Sequence, residues 1–255
     1  MLISQGAARN ERINLNLACS LAAIAGALNA AAFYAVGFFS ANMTGNVSAL
    51  SDHIATFQWI AALFYMAIVV IFILGAAFSS IMINAGRRRG IHGIYAYSIL
   101  TEAFLLFPLG AADLWLHDTI LRGSILVLGL AFLMGLQNAT VTRISDARVR
   151  TTHVSGMATD IGVELGIAFD ILRGKEGEAS AIDNRSKLRL HLRTIAAFLA
   201  GGIVGVLLYQ AIAGYLLVIA AMLLLLIALN GLHRARDVRK TTGTRRMQWR
   251  PRQKR

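Results

Sequence analysis

The stretch SANMTGNVSAL, residues 40–50, decides how this chain is read, because it sets Asn42, Thr44, Gly45 and Asn46 directly after an uncharged apolar run. The surrounding sequence is too apolar for a soluble domain: 56% of residues are hydrophobic, 15% are charged, and the mean hydropathy is +0.60. Uncharged runs at Trp59–Ile83, Gly123–Thr142 and Thr194–Leu232 each reach the roughly 20 residues that a membrane helix needs. The last run is long enough for two crossings with a turn near Gln210–Gly214. Ile13–Ser51, which leads into the opening stretch, and Ile91–Ala112, which carries Glu102, complete the set. The expectation is an all-α transmembrane fold of about six spans.

Charge placement gives the topology. The net charge is +12, and when six spans are threaded through the sequence every Lys and Arg except Arg122 falls on one side of the bilayer. That side is cytoplasmic by the positive-inside rule, so both termini face inward in a multi-pass protein of the bacterial inner membrane. This distribution argues against nucleic acid as a partner. It divides the chain into a cytoplasmic segment at 1–12, a membrane domain at 13–233 with halves at about 13–112 and 120–233, and a basic, disordered tail at 234–255. The tail reads as a topology signal, or as a contact for anionic lipid. One cysteine, Cys19, excludes a disulfide framework and a zinc site, and no cofactor or metal motif appears.

The opening stretch has a partner. Gly26, Asn29 and Ala30 resemble Gly135, Gln137, Asn138 and Ala139 with one residue of slip, and Asn42-Met43-Thr44-Gly45 matches His153-Val154-Ser155-Gly156. Each copy opens a half with three spans, and an odd number of crossings inverts the second half. Inverted three-span repeats with interrupted or re-entrant segments recur among transporters and channels. Non-helical backbone at membrane depth survives only where protein or water shields it from lipid. Thr44 or Ser155, with Asn42 or Thr152 before it, is placed to cap a short helix, and Gly45 and Gly156 supply permissive backbone. A helix start aimed into a cavity presents unpaired N–H groups that favour anions or polar oxygens. The competing reading is two capped surface helices without a ligand.

Other polar groups carry two readings each. Glu102, midway along the third span, suits proton or ion coupling, or a protonated carboxyl bonded to a neighbouring helix. Asp160 and Glu164 share one helix face with Gly156, and either line a cavity or form the wet face of an interfacial helix. Asn29 and Asn138 join helices or face the cavity. Gly201 and Gly205 form a Gly-x-x-x-Gly suited to close packing within the chain or between protomers of a homo-oligomer. His153 and Ser155 suggest an intramembrane hydrolase only if a base reaches the serine.

SANMTGNVSAL and the later MGLQNATVTRISDARVRTTHVSGMATDIGVELG resemble the two signature regions of the YoaK-like bacterial membrane proteins, a family of unknown function. The resemblance implies an integral inner-membrane protein of about six spans and no particular substrate. From the residues themselves, the expected function is a small-solute transporter or channel. Its polar contacts are Asn29, Asn42, Thr44, Gly45, Asn46, Asn138, Thr152, His153, Ser155, Gly156 and Asp160, with Glu102 and Glu164 for ion or proton coupling. The alternatives are an intramembrane enzyme acting on lipid or peptide, and a non-catalytic membrane protein whose basic tail recruits a partner.

Overall fold

The computed structural model describes residue 2, residues 11–116 and residues 119–248, with side chains as far as residue 236. Within these residues the chain is helical throughout, in the order α1 (Glu11–Val36), α2 (Met43–Ala55), α3 (Trp59–Arg88), α4 (Ile94–Trp115), α5 (Leu121–Ser145), α6 (Val154–Leu172), α7 (Glu178–Ile212) and α8 (Tyr215–Gln248). Six of these, all but α2 and α6, are long and apolar enough to cross a membrane. The segment read as one span at 13–51 divides at Gly37, whose φ of +78° breaks the helix after Val36. The turn between the last two spans falls at Ala213 and Gly214, within the expected window. The basic tail expected to be disordered lies largely outside the described side chains, although the backbone of α8 continues to Gln248.

The helices pack mainly across the two halves: α1 on α7, α3 on α5, and α4 on α8. The short helices stay within their own halves, α2 against α3 and α6 against α7. Small residues make the cross-half contacts close. A Cβ on Gly26 would overlap the carbonyl oxygen of Phe198, and one on Gly135 would overlap that of Phe72. In return, Gly201 meets the Ala23 carbonyl and Gly75 meets the Phe132 carbonyl. Gly201 and Gly205 both abut the backbone of α1, so this Gly-x-x-x-Gly serves packing within the chain.

These contacts also correct the register of the repeated segment. Gly26-x-x-Asn29-Ala30 and Gly135-x-x-Asn138-Ala139 correspond without a slip. Both glycines face a phenylalanine carbonyl on the partner helix, a like environment at that register. Surface apolarity fits a lipid environment: Ile60, Leu63, Ile73 and Ile81 on α3 and Leu199, Ile203 and Leu207 on α7 are exposed. The termini-bearing end is tied by Glu11 to Arg189 at 3.8 Å and by Gly93 against Ala235.

The opposite end holds Arg122, expected from the sequence to be the one Lys or Arg on its side. Its Nε donates to Asp113 Oδ1 at 2.7 Å and its Nη2 donates to Tyr209 Oη at 2.8 Å. Tyr209 in turn donates to Asp113 Oδ2 at 2.7 Å, closing a ring across α4, α5 and α7. Sequence reading noticed Arg122 and missed both of its partners, which are far from it in the chain or, for Asp113, at the edge of a span.

Candidate functional site

The two glycine-centred segments open onto one shared cavity. After α1 ends at Val36 the chain turns back, and the backbone N–H of Ala41 donates to Asn29 Oδ1 at 2.9 Å. After α5 ends at Ser145 the chain turns back likewise, and Thr152 Oγ1 donates to Asn138 Oδ1 at 2.9 Å. Each asparagine lies seven residues before the end of its helix, so each connector returns by about 10 Å along the bundle. α2 and α6 therefore begin about two turns back from the ends of α1 and α5, with Asn42, Thr44, His153 and Ser155 exposed there.

Between their first turns lies a cavity of about 570 Å³. Asn42, Thr44 and Gly45 line it from the start of α2, and Thr152, His153 and Ser155 from the start of α6. Asn29 adds an amide, and Phe39, Phe72 and Phe198 provide apolar walls. The start of α2 is capped as expected, Asn42 Oδ1 accepting from the Gly45 N–H at 3.1 Å. Thr152 does not cap α6, because its hydroxyl is taken by Asn138; α6 has no side-chain cap.

Four of the expected contacts lie elsewhere. Asn46 is buried and donates to the Phe39 carbonyl at 3.1 Å, bracing the connector from behind. Asn138 stands outside the lining and holds Thr152. Gly156 is next to the lining, with the Arg150 guanidinium beside it. Asp160 is absent from the lining and faces a second cavity of about 740 Å³ toward the termini-bearing end. The walls Phe72 and Phe198 escaped the sequence reading, since phenylalanine in an apolar span looks lipid-facing. Their shared Phe-x-x-Gly spacing, Phe72 to Gly75 and Phe198 to Gly201, was the available signal.

In the second cavity Glu164 is nearly fully buried and its Oε1 lies 2.9 Å from His191 Nδ1. Asp160 Oδ2 is 3.9 Å from the other ring nitrogen, and Asn184 Nδ2 donates to the Glu164 carbonyl at 2.9 Å. Glu164 Oε2 has no hydrogen-bond partner among the described residues. Burial pushes the Glu164 carboxyl above its ordinary range, while the facing His191 pulls it back and Asp160 adds to the rise. A raised folded-state pKa means that Glu164 favours folding most below the ordinary carboxyl range, and that this is lost as pH rises through the folded-state value. Glu164→Gln, always neutral, is expected to match the parent at about pH 4 and to exceed its melting temperature progressively toward about pH 8. A variant melting below the parent at the upper end would contradict this.

Glu102 lines none of these cavities. It is fully buried on α4, where its Oε1 accepts from Gln137 Nε2 of α5 at 3.1 Å. One turn away, the hydroxyls of Ser79, Ser98 and Thr140 bond one another at 2.6–3.2 Å. This is a polar seam joining α3, α4 and α5, with the geometry of interhelical hydrogen bonding. Among the described residues, no hydrogen bond reaches the Ser155 hydroxyl.

Neither the curated proteins nor the solved structures contain a match to this chain. A family model does match, from residue 17 to residue 229, under the description "Protein of unknown function (DUF1275)". That range takes in both glycine-centred segments and ends within the first half of α8, and the chain, a multi-pass helical protein by its six apolar helices, belongs to the DUF1275 family.

Proposed function

We propose that this protein is a small-solute transporter or channel of the bacterial inner membrane, and that the cavity between the starts of α2 and α6 holds the solute. The observation that carries the reading is the convergence of the two related segments, more than 100 residues apart in sequence, on one polar cavity. A cavity with a few converging polar groups and apolar walls is the usual form of a small-molecule site. The halves at about 13–112 and 120–233 are taken as inverted repeats. The crossed pairing of α1 with α7 and of α3 with α5, and the matched glycine–carbonyl contacts in each, support that arrangement. Both termini are placed in the cytoplasm on the charge distribution. The connectors' return along their helices supports treating α2 and α6 as re-entrant, with their backbone shielded by protein.

Asp160 belongs to the second cavity, so the test uses only lining residues. In proteoliposomes screened with small polar solutes, the double variant Thr44→Val, Ser155→Ala is expected to lose about tenfold or more of the flux. Its folding should be intact, since neither hydroxyl makes a hydrogen bond among the described residues. Flux equal to the parent's would refute the cavity as the path.

A further inference from the structure

The lining of the central cavity is unbalanced in its hydrogen-bonding chemistry. No Asp or Glu lines it. Two helices start there, which leaves the N–H groups of Met43 and Thr44 on α2 and of Ser155 and Gly156 on α6 without intrahelical partners. Both helix dipoles present their positive ends to the same space.

An independent observation comes from Asn29. This residue is 7% exposed and lines the cavity, and its single hydrogen bond uses Oδ1, which accepts from the Ala41 N–H. Its NH₂ group therefore has no acceptor among the described residues, and it is open to the cavity. The equivalent amide of Asn138 is satisfied, donating to the Met134 carbonyl at 2.8 Å. The difference between these two asparagines is that Asn29 lines the cavity and Asn138 does not.

Unpaired donors on three elements, with no carboxylate among them, call for an acceptor carried in by the ligand. The faces of Phe39, Phe72 and Phe198 call for an apolar body attached to it. We infer that the cavity binds a small organic carboxylate, its oxygens taken by the Asn29 amide and the first turns of α2 and α6, and its carbon body set against the three phenylalanines. This rests on the cavity being the solute site.

Isothermal titration of the purified full chain, at matched ionic strength, uses sodium benzoate, benzamide, benzylamine and sodium phosphate as probes. Two variants separate binding from folding. Asn29→Asp keeps the oxygen that holds the Ala41 N–H but replaces the free donor with negative charge. Ser155→Asp puts a carboxylate at a helix start, where it favours the helix. Benzoate is expected to bind in preference to the other three probes, and each variant to weaken it about tenfold or more while melting no lower than the parent. Benzamide, benzylamine or phosphate binding as well as benzoate would overturn the inference, as would benzoate affinity indifferent to both substitutions. Solute flux without carboxylate binding would overturn it and leave the transport path standing. Absence of flux and of binding by any probe would remove both.

Discussion

Gly135→Ala is expected to abolish most of the folded protein. The added methyl would overlap the carbonyl oxygen and carbon of Phe72 and crowd the backbone N of Ala76, so it meets the main chain of α3 on two successive turns. A flexible side chain can swing aside, but a helix backbone cannot. Relief requires α3 and α5 to move apart along a contact made by Gly75 against Phe132 as well. Overpacking typically costs about 1–3 kcal/mol, and a clash with backbone belongs at or above the upper figure. The readouts are the yield of monodisperse protein in detergent and its melting temperature. Gly166→Ala is the control: nothing lies within 4 Å of its Cβ position, and α6 should gain up to about 1 kcal/mol in helix propensity. A Gly135→Ala protein that melts with the parent would disprove the close approach of these helices.

Arg122→Leu is the second large effect. Asp113 is fully buried at its side chain, whereas that of Arg122 is 18% exposed. Among the described residues, removing the guanidinium leaves the carboxylate with the Tyr209 hydroxyl alone. Breaking a buried pair from one side costs about 3–5 kcal/mol, and the partial exposure of Arg122 places this case toward the lower figure. The double variant Arg122→Leu, Asp113→Asn removes the stranded charge and is expected to recover much of the loss. Equal melting of the single and double variants would show that the charge is not what matters at this end of the bundle.

How far the sequence could be read follows from what each signal measures. Hydropathy located all six long helices, with α3 starting at Trp59 and the last turn at Ala213 as the uncharged runs indicated. It could not register the pairing of α1 with α7, because a helix face packed on another helix is as apolar as one facing lipid. The repeat located the polar half of the cavity, and the aromatic half was hidden by the same ambiguity. Asp160 shows the limit of spacing arguments. It shares a face with Gly156 and Glu164, as four-residue steps require, but five residues past Ser155 it is rotated well away from the cavity side. The Glu164–His191 pair was invisible for another reason: its partners sit on different helices, and nothing local in either one signals the other.

The crossed pairing also bears on how the chain is made. α1 and α3 leave the ribosome before α5 and α7 exist, yet the glycine faces of α1 and α3 are built to receive those later helices. The seams of α1 with α7, α3 with α5 and α4 with α8 can therefore close only once the second half has been made. The central chamber, walled by Asn29 and Phe72 from the first half and Phe198 from the second, cannot be complete before α7 is made.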